Sequence, residues 1–212
     1  MSNPAEGNLF MMCSRLNTSA LSDIPDGFYI RLCRREELDI WKDMHFDTEA
    51  EARDSRPFMD RYFERVYAPA GDEFWKRCFF LCDDADTPVG TCFVWKAYGE
   101  VTTVHWYKVK KEWEGRGLGR ALLSYVMKTV PASDYPVFLH THVGCSRAVK
   151  LYSDFGFILL TDEKIGSRIN HWKESLPYLR ENMPADVCNG LIFAQAPKWF
   201  LTAVNSDTVD QF

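Results

Sequence analysis

Two hydrophobic rhythms alternate along this chain. From Leu118 the apolar positions are Leu118, Ala121, Leu122, Tyr125, Val126 and Val130, the spacing of one helical face, and Pro131 stops the run. Just upstream, VTTVHWYKV (Val101 to Val109) is β-branched and aromatic and reads as a strand. Between them lies EGRGLG, where Gly115, Gly117 and Gly119 alternate with other residues. The pattern predicts strand, glycine turn, helix. Further on, Ala148, Leu151, Tyr152 and Phe155 share a second helical face, and Gly156 is placed to end that helix.

The other elements follow from the same two periods. Leu9 to Leu16 reads as an extra N-terminal strand, and NTSALSDIPDG as a turn-rich connection to a strand at Phe28 to Cys33. Helical spacing then starts near Arg35, with Leu38, Trp41 and His45 on one face. A second helix is expected from Pro57 to Tyr67, where Phe58, Tyr62, Phe63 and Val66 repeat. Cys78 to Cys82 and Val89 to Ala97 are strands joined by the turn DDADTP, and YGE turns into the strand at Val101. Val137 to Thr141 and Ile158 to Leu160 are further strands. Residues 167–183 read as a partly helical insertion, and GLIFAQAP from Gly190 as a closing strand. Trp172, Tyr178 and Trp199 are expected to pack this tail onto the domain. Strands in hairpin succession, then two separated by a helix, give a mixed sheet.

Composition narrows the class. At 212 residues the chain is long enough for one well-packed domain with extensions, and short for two independent cores. Its 46% apolar and 26% charged content is that of an ordinary globular protein. A net charge of −5 argues against nonspecific nucleic-acid binding; it suits a cationic ligand, and solubility alone also accounts for it. The seven cysteines are irregularly spaced, with neither a CxxC pair nor His at zinc-ligand spacing. No metal is implied, and most of the thiols read as small buried residues of a reducing cytosol. MSNPAEGNLFMMC lacks a basic region and a sustained apolar core, and no run approaches the roughly 20 apolar residues that span a bilayer. A cytoplasmic protein without a membrane partner is expected.

The glycine turn carries the chemistry. Glycine lets backbone lie against a ligand where a Cβ would clash. A helix starting there presents unpaired N–H groups and about half a positive charge, which makes an anion cradle, most naturally for phosphate. A P-loop needs GxxxxGK before Ser or Thr, and a dinucleotide site needs GxGxxG with an acid about 20 residues on. Here the spacing is GxGxG, and PASDYPVFL offers Asp134 in a loop. Neither motif fits, so the cradle serves another phosphate ligand.

EGRGLG resembles the acyl-CoA pyrophosphate loop of the GNAT superfamily of N-acyltransferases. SRAVKLYSDFGF is similar to that family's next helix and strand, with the same order and distance from the loop. The resemblance implies a mixed, mostly antiparallel central sheet flanked by helices, an α/β fold of the α+β kind. It implies residues 28–212 as one acyltransferase domain, 1–27 as an N-terminal extension, and acetyl-CoA as cosubstrate. Its cofactor contacts fall on Val109, Glu114, Gly115, Arg116, Gly117, Leu118, Gly119 and Arg120, with Cys145 and Ser146 at the next helix. This chain departs at Glu114, where Gln or Arg is usual, and at Cys145, where Asn is common. The helices near Trp41 and Tyr62 are implied to border an acceptor groove; plain core packing is the alternative for each aromatic.

An amine attacks a thioester only when neutral, and neutralising one with a pKa of about 10.4 at pH 7 costs roughly 4.6 kcal/mol. A base is therefore expected. His105 alternates onto the face of Tyr107 and Val109, and histidine titrates near neutrality. Some arylalkylamine-type members of the resembled family carry a catalytic histidine there. Glu100 is the rival base, with Asp83 and Asp84 behind it. The resemblance gives Tyr152 as the acid or sulfur-binding group, and a backbone N–H around Val109 as the oxyanion donor. Three functions remain open: an N-acetyltransferase acting on a small-molecule or peptide amine by direct attack, without Cys145 as nucleophile; an acyl-CoA sensor or scaffold of the same fold; and an interaction module. A homodimer is compatible with each.

Overall fold

The computed structural model describes residues 4–206 and 209–212. In chain order the elements are β1 (Asn8–Cys13), β2 (Phe28–Leu32), α1 (Leu38–Asp43), α2 (Glu49–Tyr62), α3 (Glu73–Arg77), β3 (Phe79–Asp83), β4 (Pro88–Ala97) and β5 (Val101–Val109). There follow α4 (Leu118–Lys128), β6 (Val137–His142), α5 (Ser146–Asp154), β7 (Ile158–Leu160), β8 (Lys164–Ile165), β9 (Arg168–Ile169), α6 (Trp172–Asn182), α7 (Ala185–Asn189), β10 (Phe193–Ala194) and α8 (Lys198–Ser206). Eight strands form one mixed, mostly antiparallel sheet in the order β10-β7-β1-β6-β5-β4-β3-β2, and β8 and β9 pair separately.

The chain divides into two units. The first gathers residues up to Ala20, Lys96–Thr103, and the chain from Pro131. Its centre is β1, paired antiparallel with β6 on one side and β7 on the other. The apolar run LFMMC fits a central strand whose two faces are both covered: Leu9, Phe10, Met11, Met12 and Cys13, which alternate between the faces, are all buried. Phe200 stacks on Phe138 with ring centroids 3.9 Å apart, which anchors α8. The sequence pattern does not foresee α8, and the closing strand expected from Gly190 shrinks to the two residues of β10, parallel to β7. Trp172 packs against Phe193, and Trp199, though partly exposed, lies edge-on to Phe138 with ring centroids 5.7 Å apart.

The second unit comprises Leu21–Trp95 and Val104–Val130. Strands β2, β3 and β4 pair antiparallel in it, and Asp83 closes the DDADTP turn by accepting from the Ala85 and Thr87 amides at 3.0 and 2.8 Å. Its core is aromatic. Trp41, fully buried, has His45, Phe63, Tyr67, Phe74 and Trp106 edge-on around it.

Helix α2 starts eight residues earlier than Pro57, which corrects the expected boundary. Thr48 and Glu51 form a capping box: the Thr48 hydroxyl accepts from the Glu51 amide at 3.2 Å, and the Glu51 carboxylate accepts from the Thr48 amide at 3.0 Å. Pro57 therefore lies inside the helix. Beyond Tyr62 the helix widens into a π turn, Phe63–Tyr67, where the Ala68 amide donates to the Phe63 carbonyl. The extra residue per turn brings Phe63, Val66 and Tyr67 inward together.

Candidate active site

Strand β5 feeds the glycine turn, as its sequence predicts. It enters from a tight hairpin in which Tyr98 and Gly99 have φ of 53° and 80°. Glu100 is the last residue of that turn and is exposed. The β5–β6 ladder consists of a single parallel pairing, Thr103 with Phe138.

Beyond that pairing β5 does not simply alternate. Trp106 has φ of +52°, the left-handed region, which costs a bulky residue on the order of 1–3 kcal/mol. The kink turns two successive side chains the same way. Trp106 Nε1 donates to the Tyr67 hydroxyl at 2.8 Å, and His105 Nδ1 lies 2.6 Å from the same oxygen. Tyr107 and Val109 instead lie against Gly119 at the start of α4. His105 thus does not share a face with Tyr107 and Val109; the break at Trp106 overrides the period-two reading.

His105 is 2% exposed, enclosed by Tyr67 and Phe93. Burial pushes the Tyr67 phenol well above its ordinary range, so it remains a protonated hydroxyl. Nearby, His45 packs on Trp106 at 4.5 Å, and burial together with the Lys108 charge pushes it down to about 3. Sequence reasoning named Tyr62 as an aromatic of the second helix and gave Tyr67 no role. The π turn that delivers Tyr67 has no period-based signal.

The three glycines have different reasons. Gly115 and Gly117 both have φ of +78°, and a Cβ at either would meet no heavy atom within 4 Å, so their backbone faces open space. Gly117 is the N-cap of α4 and offers no capping side chain to the N–H groups of an 11-residue helix. Gly119 is different: a Cβ there would stand 2.2 Å from the Tyr107 hydroxyl, so this glycine admits a neighbouring side chain. Leu118 is buried and pins the helix start; Arg116 lies over the Trp113 ring at 4.6 Å, and Glu114 is exposed. The Lys110 amide is committed to the Val89 carbonyl at 2.9 Å.

The structure brings His105, Val109 and the glycine turn into the second unit. Glu100, Cys145, Ser146 and Tyr152 belong to the first. There Cys145 is the exposed N-cap of α5, Ser146 its first residue, and Tyr152 lies further along the helix, buried against Phe157. Asp83 is used by its turn, and Asp84 is exposed. A cleft of about 850 Å³ opens in the second unit beside Lys110–Glu112, walled by Met44, Phe46, Ala52 and Arg56. Among the described residues, no helix is long and apolar enough to cross a membrane.

The chain belongs to the acetyltransferase (GNAT) family, whose model matches residues 38–157, more than half its length. No curated protein matches by sequence. Among solved structures, a tandem GNAT protein from the clavulanic acid biosynthesis pathway aligns at 13% identity, with a TM-score of 0.52 over 73% of this chain and 50% of its own. A GNAT-family acetyltransferase from Colwellia psychrerythraea aligns at 14%, TM-score 0.51, over 73% of this chain and 53% of its own. A functionally unknown conserved protein from Staphylococcus epidermidis aligns at 15%, TM-score 0.50, over 73% and 57%. This chain thus spans about half the length of each. At these identities the likeness is one of fold, while family membership supports acyl transfer as the general activity.

Proposed function

We propose that this protein transfers an acetyl group from acetyl-CoA to a primary amine of a small molecule or peptide, by direct attack on the thioester. The observation that carries the reading is the open, left-handed backbone at Gly115 and Gly117 leading into the uncapped first turn of α4. Such backbone fits a diphosphate, to which it presents N–H groups and the positive end of the helix. In this reading residues Glu114 to Arg120 hold the diphosphate, with Arg116 and Arg120 adding charge. Bound acetyl-CoA supplies the thioester; Val109 offers its backbone N–H to the developing oxyanion. His105 takes the amine proton, and the CoA thiolate leaves and takes a proton from solvent. Glu100 is the weaker base, because nothing at an exposed hairpin tip excludes water from it. Seven free thiols support a cytoplasmic setting.

The test pairs two measurements. CoA is expected to raise the melting temperature, and acetyl-CoA with a panel of amines is expected to release free thiol. Stabilisation without thiol release supports the second reading, an acyl-CoA sensor, which the near-complete burial of His105 favours. No stabilisation by CoA removes both.

A further inference from the structure

Nearly sealed from solvent, a base at His105 faces a difficulty: each proton it takes leaves a charge in an apolar cluster. The hydrogen bonds around Tyr67 offer an outlet. The Tyr67 oxygen accepts from Trp106, and an indole N–H can do nothing but donate. One lone pair and the hydroxyl proton remain for two further partners. These are His105 Nδ1, at 2.6 Å, and the side chain of Tyr62, hydrogen-bonded to Tyr67 and half-buried on α2.

That count admits two arrangements. Either Tyr67 donates to His105, Tyr62 donates to Tyr67, and the histidine proton sits on Nε2; or His105 donates from Nδ1, Tyr67 donates to Tyr62, and Nε2 carries a lone pair. Only the second lets Nε2 act as a base. We propose that Tyr67 and Tyr62 are positioning residues that set the tautomer of His105 and carry away the proton it takes up. The inference rests on the reading of His105 as the base.

The step balances. As the amine nitrogen bonds to the acyl carbon, its proton binds Nε2. Nδ1 then gives its proton to the Tyr67 oxygen, Tyr67 gives its own to Tyr62, and Tyr62 releases one to water. One proton enters, one leaves, and every group ends neutral. When Nε2 later releases its proton as products depart, a proton returning through Tyr62 and Tyr67 recharges Nδ1. The strained backbone of Trp106 has a place in this account, since it turns the indole N–H onto Tyr67 and removes one of the competing lone pairs.

The decisive variant is Tyr62→Phe, which keeps the ring of a half-buried residue. Without that hydroxyl Tyr67 has no other acceptor than His105 Nδ1, so the tautomer moves toward Nε2–H. Nitrogen-15 NMR of the histidine-labelled protein reads this without any substrate, with the five histidines sorted by a His105→Gln control. With an accepted amine, Y62F is expected to lower kcat on the order of tenfold, leave KM for acetyl-CoA unchanged, and respond to added imidazole as an external proton carrier. An unchanged tautomer ratio in Y62F overturns the coupling. An altered ratio with wild-type kcat overturns the proton outlet alone. Wild-type thiol release by H105Q removes the base reading itself, and the outlet with it.

Discussion

Gly117 and Gly119 stand two positions apart and are glycine for different reasons. At Gly115 and Gly117 the left-handed backbone is the constraint, so Gly115→Ala is expected to cost about 1–2 kcal/mol in stability with no steric clash. At Gly119 the constraint is the Tyr107 hydroxyl, 2.2 Å from any added Cβ. Gly119→Ala should cost about 1–3 kcal/mol, and Tyr107→Phe in the same chain should recover most of it, as denaturant melts of the three variants would show. A second prediction concerns His45, held neutral with a folded pKa of about 3 against the ordinary 6.5. Above 6.5 both folded and unfolded forms are neutral and the group contributes nothing. As pH falls from 6.5 toward 3 only the unfolded chain binds the proton, so stability declines by up to roughly a few kcal/mol. His45→Phe should flatten, though not abolish, this slope in melts across that range. His140 is also depressed by burial and acts in the same direction.

Helix α2 shows how one element was legible and still misread. The capping box is plainly written as Thr48 to Glu51, yet the apolar repeat begins only at Phe58, because the first two turns of the helix are polar, and it puts the boundary eight residues late. Thr48→Ala is expected to cost about 1 kcal/mol, read as a lower melting temperature. The π turn at its end had no such signature, because i→i+5 bonding reflects what the widened turn packs against. The left-handed Trp106 was hidden for the same reason: a strand sequence predicts alternation, and only the aromatic cluster around Trp41 shows where two neighbours turn together. By contrast the glycine turn was readable in place and length, since glycine spacing and a following amphipathic face are local features.

At the scale of the whole molecule, ligand binding and folding are linked. If the turn before α4 holds a diphosphate, CoA at a hundredfold its dissociation constant should stabilise the protein by about 2.7 kcal/mol, seen as a concentration-dependent rise in melting temperature. Gly117→Ala should lose most of that rise while remaining folded, which separates a binding defect from a folding one. The strand order also gives the N-terminal strand more weight than an appendage would have. Between β6 and β7 it supplies buried side chains and a full ladder, so removing residues before Asn17 should unfold the first unit rather than trim it.

What the sequence determined by itself were the features set by neighbours along the chain: the strand, glycine turn and helix of residues 101–128, the second helix ending at Gly156, the hairpin at Tyr98, and the mixed sheet that follows from their order. These depend on φ preferences and on periods of two and 3.6, which a few residues suffice to express. Tertiary structure alone decided which face His105 takes, that Tyr67 reaches it, that Gly119 serves packing where Gly117 serves an open turn, and that β1 lies inside the sheet. Each of those is a contact between residues far apart in the chain, and its sign depends on volumes and hydrogen-bond partners that no local pattern records.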